Sequence, residues 1–562
     1  MILTATPYLW EQMYQAPLHE RLGPAPDVLI DFLTQTLQLH AAAPAMPDPG
    51  ASAEVQAVLA DMAPAWRQAL SLRLLGVFFV DGLVTPIRAE LLADAQDEPV
   101  GAVLLVDAAA VKADGAWRAA LYAVMERAQD SWLAGDAAPF PRRARRSAAT
   151  QTCLDLVMQP GAPFLGLAPF ARLSAASGDM RAVAQALLEL AGQEADNPGL
   201  WMNLSTAFFA MGQSDLGLAM QAQALEAQRL YPLPAARQPA GLRLLLLMAE
   251  GDLAENTPLD CLLEGSDVEI TLYYAKADAP LPSDLPEHDL LMVGISDTVA
   301  NRPLLAALTP LLAAWPKPVI NAPQHIPNTE RSAASALLAD APGIAMPPTR
   351  EVARAALQDV AQQPEGVASL FDDCAFPLIV RPVGSHAGRD LARIADAGEL
   401  SAYLDRVSDA CFYVSRFIDY SGTDGLFRKA RIALIDGQAH VCHMAISSHW
   451  MIHYVNAGMY EDAAKRTEEA AFMADFDAFA ARHRDALEAI HRRSMLDYVC
   501  IDCAETPDGE LLIFEIDHAM VAHAMDPAEL FPYKQPQMQK VKEAFLRYLH
   551  TRHAHGVQAR AA

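Results

Sequence analysis

The sequence predicts an α/β architecture for its C-terminal half, preceded by a mainly α-helical region. Two observations carry that prediction. After Cys261 the texture changes to short apolar runs, DVEITLYYA, HDLLMVGIS and KPVIN, with the helical stretch NRPLLAALTPLLAAW between the last two. Strands alternating with helices indicate an open, mostly parallel sheet. Earlier in the chain Ala, Leu and charged residues fall at helical spacing, as in SAEVQAVLADMAPAWRQALSLRLL and GAWRAALYAVMERAQDSWLAG.

A chain of 562 residues exceeds one ordinary core and divides into several domains of roughly 100 to 200 residues. The net charge of -27 argues against a nucleic-acid partner, because phosphate backbones are bound by cationic surfaces. No apolar run approaches a bilayer span, and MILTATPYLWEQ lacks the basic lead and long apolar core of a signal peptide. The expectation is a cytoplasmic chain with no membrane partner. Seven scattered cysteines suit reduced thiols better than a disulfide framework. Cys500 and Cys503 stand three apart on a predicted strand, face opposite sides of it, and fit a core role.

Residues 1–170 read as a mainly helical domain. Within it the Pro-rich break AAAPAMPDPGAS is followed by LGVFFV and VGAVLLVD, which fit either short strands or buried helical turns. The run Arg142, Arg143, Arg145 and Arg146 reads as a solvated loop or as a grip on an anionic ligand. Residues 171–260 follow a helix-turn-helix pattern, and GLWMNLSTAFFAMGQSDLGLAMQAQALEAQ resembles a tetratricopeptide repeat. Trp201, Leu204 and Phe208 share a helical face, Gly212 sits in the turn, and Ala224 is small where two helices meet. Ser205 and Gly217 depart from the repeat pattern. The segment serves either as a groove for a peptide or protein partner or as a helical spacer.

Residues 261–350 form the first strand-helix domain, and residues 351–548 a second one. In the second, FPLIVRPVGSHAGRDLARI gives two strands around a glycine loop, and FYVSRFID, KARIALIDG and QAHVCHMAIS read as sheet. A helical stretch from Tyr460 to Arg493 follows. Then come the strands LDYVCID and ELLIFEID, joined by a turn of Thr506, Pro507, Asp508 and Gly509. The tail 549–562 lacks a packing pattern and is expected to fray.

The chemistry-bearing residues concentrate in this second domain. Glu515 and Asp517 lie two apart on one strand and share a face, and Asp502 on the neighbouring strand completes a set of hard oxygen ligands suited to Mg²⁺ bound with nucleotide phosphates. The loop of Gly384, Ser385, His386 and Gly388 lets backbone amides approach phosphate oxygens, with Arg381 as a cation beside it. Ser415, Arg416, Phe417 and Ile418 suit a hinge whose backbone bonds an adenine edge, and Asp419 beyond it suits ribose hydroxyls. Of Arg428, Lys429 and Arg431, at least one is expected to face a triphosphate, with Arg428 set apart if the strand is regular. Between hinge and hairpin, His440, His443, His449, Trp450, His453 and Tyr454 fit a substrate pocket better than a zinc site, because the first of them lie on a predicted strand. His518, directly after the hairpin, is placed to line the same cavity.

The order of these parts resembles the ATP-grasp ligase superfamily, in particular its glutathione synthetase-like and RimK-like members and the D-alanine ligases. The resemblance covers the strand-helix domain, PLIVRP with its glycine loop, the SRFID hinge, the basic strand, and an acidic residue followed by Glu-x-Asp. It implies ATP clasped between two sheets and two Mg²⁺ ions, with Mn²⁺ as a substitute, on Asp502, Glu515 and Asp517. It also implies phosphorylation of a small-molecule or peptide carboxylate to an acyl phosphate and attack by an amine, with Arg431 and His443 in catalytic roles. Arg331 and Arg381 stand where the family usually has lysines, and Asp517 where it usually has Asn. These departures leave a second reading, a nucleotide-binding scaffold or pseudoenzyme whose repeat-like helices hold a partner protein.

Overall fold

The apolar runs early in the chain are strands. The computed structural model describes residues 2–5, 70–80, 83–94, 99–106 and 148–561, except 160, 162, 177, 280, 386 and 387. These fall in two units, residues 1–147 and 148–562. In the first, β1 (Ile2–Ala5), β2 (Leu70–Val80), β3 (Leu83–Asp94) and β4 (Pro99–Val106) form an antiparallel sheet in the order β1-β4-β3-β2. β2 includes Leu70–Leu75, the end of a stretch with helical spacing. Tertiary pairing overrides that spacing, since Leu72 lies opposite Leu92 in a two-strand ladder. The remaining helical expectations before residue 148, the Pro-rich break and the four-arginine run lie outside the described residues.

The second unit begins with five helices, α1 (Ala148–Val157), α2 (Ala168–Ala175), α3 (Met180–Ala191), α4 (Pro198–Ala210) and α5 (Ser214–Ala227). Asp179 and Asn197 cap α3 and α4 by accepting from Ala182 N and Leu200 N. Leu204 and Phe208 of α4 pack into one core with Leu187 of α3 and Phe170 of α2. Gly217 lets α5 approach α4, because a Cβ there would meet the Phe209 ring at 2.6 Å. The side chain of Gln221 both donates to Gly251 O and accepts from Gly251 N, fixing α5 to the sheet that follows.

That sheet starts earlier than residue 261. Its strands are β5 (Leu230–Leu233), β6 (Leu242–Met248), β7 (Val268–Tyr274), β8 (Leu290–Val293) and β9 (Val319–Ile320), in the order β5-β7-β6-β8-β9. All pairs are parallel except β5 with β7. β6 is the centre and reads LRLLLLM, unbroken and apolar from Leu244 onward, as a strand covered on both faces must be. The run carries no alternation to separate it from a helix. Between β6 and β7 lies α6 (Leu259–Leu263), and α7 (Arg302–Ala313) covers the sheet before β9.

After α8 (Arg331–Leu338) two sheets face each other across a cavity. One takes β10 (Ile344–Ala345) beside the later strands β15 (Phe427–Ile435), β16 (Gln438–Ser447), β17 (Tyr498–Glu505) and β18 (Leu511–Asp517), in the order β10-β18-β17-β15-β16. The other is β11 (Thr349–Ala353), β12 (Leu378–Pro382), β13 (Ala392–Ile394) and β14 (Cys411–Arg416), in the order β11-β14-β12-β13. Its outer face is covered by α9 (Arg354–Gln362) and α10 (Ala397–Arg406), through Leu357, Leu400 and Leu404 in one core. The larger sheet is backed by α11 (Ala463–Ala474), α12 (Phe476–Arg482), α13 (Arg484–Ser494) and α14 (Lys534–Ala561). Cys500 and Cys503 are both fully buried and join different cores on opposite faces of that sheet. The tail is helical, since α14 continues to Ala561, and Leu549 at its start is buried.

Candidate functional site

The β17-β18 hairpin turns as its residues require, with Gly509 at φ 83° and its N–H on Thr506 O at 2.9 Å. Register puts Asp502 directly opposite Glu515 and Asp517 opposite Cys500. Just beyond the pair a bulge leaves Phe514 unpaired, since Cys503 already faces Ile513. Phe514 and Glu515 therefore both reach a cavity of about 510 Å³ between the two sheets.

Four cations and three carboxylates meet in that cavity: Arg331, Arg381, Lys429 and Arg431 with Asp502, Glu515 and Asp517. Lys429 and Arg431, two apart on β15, share the cavity face and both bind Asp502. Lys429 Nζ lies 2.8 Å from Oδ2 and Arg431 Nε 2.8 Å from Oδ1. Burial opposes charge on Asp502, yet Arg431 and Lys429 outweigh it and hold the carboxyl far below the usual carboxylate range. Arg331, at the start of α8, donates to Glu515 and, at 3.5 Å, to Phe514 O. Burial, then the nearby Arg331, lowers Arg381 to about 10, and its Nε donates to Ser385 Oγ at 3.1 Å. Asp517 lies deep in the cavity, where burial and the charge of Glu515 push it up to about 7.

The carboxylates thus stand together but not as a ready cage. Among the described residues no group of three or more His, Cys, Asp or Glu side chains is disposed to hold a metal ion. The reason is local, because the oxygens of Asp502 are directed to two cations. Mg²⁺ suits this arrangement nonetheless, since it is commonly bound by one or two carboxylates together with substrate phosphates. Glu515 and Asp517 offer hard oxygens for it.

The other end of the cavity is apolar and aromatic. Met346, Ile379, Tyr413, Ile418, Leu512 and Phe514 line it, with Ser415, Arg416 and Phe417 along the hinge. Phe417 N is held by Pro377 O at 2.8 Å, Arg393 sits 4.5 Å above its ring, and Trp450 meets that ring edge-on at 5.9 Å. Arg416 also pairs with Asp373 at 3.0 Å. Gly384 and Gly388 both take positive φ, as their loop requires, and a Cβ on Gly388 would come within 3.0 Å of His453 Nε2. Gly388 and His453 line the cavity together. His386 lies outside the described residues.

Several expected positions fall elsewhere. Arg428 points to the opposite face of β15 and pairs with Asp424 at 2.7 Å and with Glu468, as strand alternation dictates. Asp419 is exposed and accepts from Ser421 N at 2.9 Å instead of lining the cavity. His443, opposite Arg431, is no cation: burial first, then Arg431 and Lys534, push its pKa well below the usual histidine range. Its ring packs 4.8 Å from Tyr454, which donates to Glu469 at 2.7 Å behind the cavity. His449 is exposed and accepts from Met451 N at 3.2 Å. His518 is fully buried outside the cavity lining, with its ring 3.6 Å from Asp517 and its pKa pushed down to about 4 by burial. Of the aromatic and histidine set, Trp450 and His453 reach the cavity.

The sequence reading missed Tyr413, Tyr420 and Phe514, and also Leu253, Ala254 and the Ala519–Val521 segment, all of which line the cavity. Tyr413 alternates with the buried Phe412 and Val414 on β14, a period-two signal that points it to the opposite face. Leu253 carries no such signal, because it sits in a short turn between β6 and α6.

No protein-family model matches the chain. It is similar to the solved structure of a RimK domain ATP-grasp protein from Sphaerobacter thermophilus DSM 20745, at 17% identity and a TM-score of 0.32, over 54% of this chain and 99% of that one. It is also similar to D-alanyl-alanine synthetase A from Vibrio cholerae O1 biovar eltor, at 12% identity and a TM-score of 0.35, over 56% and 99%. A D-alanine-D-alanine ligase from Coxiella burnetii is 14% identical, with a TM-score of 0.33, over 57% and 99%.

Proposed function

We propose that the cavity binds ATP and that the protein is an ATP-dependent ligase of the ATP-grasp kind, joining a carboxylate to an amine through an acyl phosphate. One observation carries this reading: an aromatic and apolar slot between two sheets opens directly onto four cations and three carboxylates. A nucleotide has that same polarity, a flat base at one end and a polyanion at the other. The base lies between Ile379 and Leu512 against the hinge backbone. Lys429, Arg381 and the glycine loop take the phosphates, and Arg331 holds Glu515 in place.

Glu515 and Asp517 would hold Mg²⁺ together with phosphate oxygens, with Asp502 beside them keeping its ion pairs with Lys429 and Arg431. Bound there, the ion would neutralise charge on the phosphates. A carboxylate oxygen of the acid attacks the γ-phosphorus, the bond from that phosphorus to the β,γ-bridging oxygen breaks, and ADP leaves. The amine nitrogen then attacks the acyl carbon, the carbon–oxygen bond to phosphate breaks, and the nitrogen gives up a proton to solvent. Such transfer needs positioned positive charge more than a nucleophilic side chain, and Lys429 and Arg431, oriented by Asp502, supply it.

The test is ADP release by the full chain with Mg²⁺, ATP and pools of amino acids and peptides. Release that depends on an added acid is expected, and Glu515→Gln should lower it at least about 100-fold while the protein stays folded. ATP binding without release from any pool would favour a nucleotide-binding scaffold instead.

A further inference from the structure

A further part of the cavity wall is formed by Leu253, Ala254, Ala519, Met520 and Val521, none of them charged and none assigned to the nucleotide above. Leu253 and Val521 are large apolar side chains that remain 39% and 41% exposed. Neither is loosely held. The turn of Leu253 is capped by Asp252, which accepts from Ala254 N at 2.8 Å. The adjacent Glu255 is spent on Thr298 Oγ1 at 2.9 Å and on Asn301, so its charge does not enter the cavity. Val521 is fixed through its carbonyl, which accepts from Arg431 Nη1 at 3.2 Å. That contact also places this part of the wall beside the residue that binds Asp502.

Exposed apolar groups on fixed backbone, facing one cavity from two elements distant in sequence, form a surface that gains by being covered. We propose that the acid activated here carries an apolar side chain next to its carboxyl group. The side chain rests on Leu253, Met520 and Val521 while the carboxylate turns to the cations. A charged side chain would lose its hydration there, and Arg431, which touches this segment, already donates to Asp502 and to Val521 O. This inference rests on the ligase reading and narrows its substrate to apolar amino acids or peptides ending in one.

The experiment uses the full chain with ATP, Mg²⁺ and hydroxylamine in place of the amine, and reads hydroxamate and ADP from single acids. Leucine, methionine and phenylalanine, free or N-acetylated, should exceed aspartate, lysine and serine at least about tenfold in kcat/KM. Leu253→Asp and Val521→Asp should each raise KM for the apolar acids at least about tenfold and leave KM for ATP within about twofold. Both sites are partly exposed, so the fold should tolerate the change. Preference for a charged acid, or unchanged KM in both variants, overturns this inference and leaves the ligase reading standing. No product from any acid overturns the ligase reading and this inference with it.

Discussion

At the residue scale, Asp502 decides how the site works. It is 2% exposed and satisfied by Lys429 and Arg431, so it orients two cations of the cavity, the ones that face the phosphates in the proposed function. Removing Arg431 leaves the buried Asp502 with Lys429 as its remaining cation and one oxygen unpaired, so Arg431→Met should cost about 3 kcal/mol in urea unfolding. A loss below about 1 kcal/mol would place the pair among weak surface bridges. His288 offers a separate test. It is buried, stacks on Trp315 at 5.8 Å, and accepts from Trp315 Nε1 at 3.2 Å while its Nδ1 lies 2.8 Å from Pro286 O. Burial lowers its pKa, so the unfolded chain binds the proton first as pH falls. Its contribution is whole above a pH of about 6.5 and is lost as pH drops through that value towards the folded pKa. Thermal midpoints from pH 7.5 to 5.5 should therefore fall less steeply for His288→Gln than for the parent, and an equal or steeper fall would contradict this.

At the element scale, two segments that line the cavity are fastened by one buried network. Glu469 of α11 is fully buried and accepts from Met444 N at 3.0 Å, Tyr454 Oη at 2.7 Å and Tyr533 Oη at 2.6 Å. Lys534, at the start of α14, lies 3.5 Å from Glu469, 2.9 Å from Asp526 and 3.7 Å above the Tyr454 ring. Trp450–His453 on one side and Ala519–Val521 on the other are thereby tied to the same ions. Lys534→Met should lower stability by about 3 kcal/mol and raise KM for the acid more than KM for ATP; equal effects on both would reduce the network to packing alone. LDYVCID and its hairpin were legible because a short apolar run is bounded by turn residues, although β17 is buried without alternation. β6 and β2 were not, for opposite reasons: LRLLLLM has no alternation, and Leu70–Leu75 continues a helical spacing that strand pairing overrides. Bulges are a third blind spot. Phe514 reaches the cavity next to Glu515 only through an irregular register that no period reveals.

At the scale of the whole molecule, the site is assembled from parts far apart in the chain. The turn after β6 contributes Leu253, α8 contributes Arg331, the smaller sheet contributes Arg381, and the larger contributes the acidic hairpin. The order of motifs pointed to the last three, while the first emerges only in three dimensions. Among the described residues no helix is long and apolar enough to cross a membrane. The central claim, a nucleotide between the two sheets with its phosphates on the cavity face of β15, is tested most directly by calorimetric binding of ATP with Mg²⁺. The comparison sets Lys429→Met against Arg428→Met in the full chain. Lys429 faces the cavity and Arg428 does not, so Kd should rise at least about tenfold for the first and stay within about twofold for the second. Equal weakening by both substitutions, or no binding by the unaltered protein, would contradict the account.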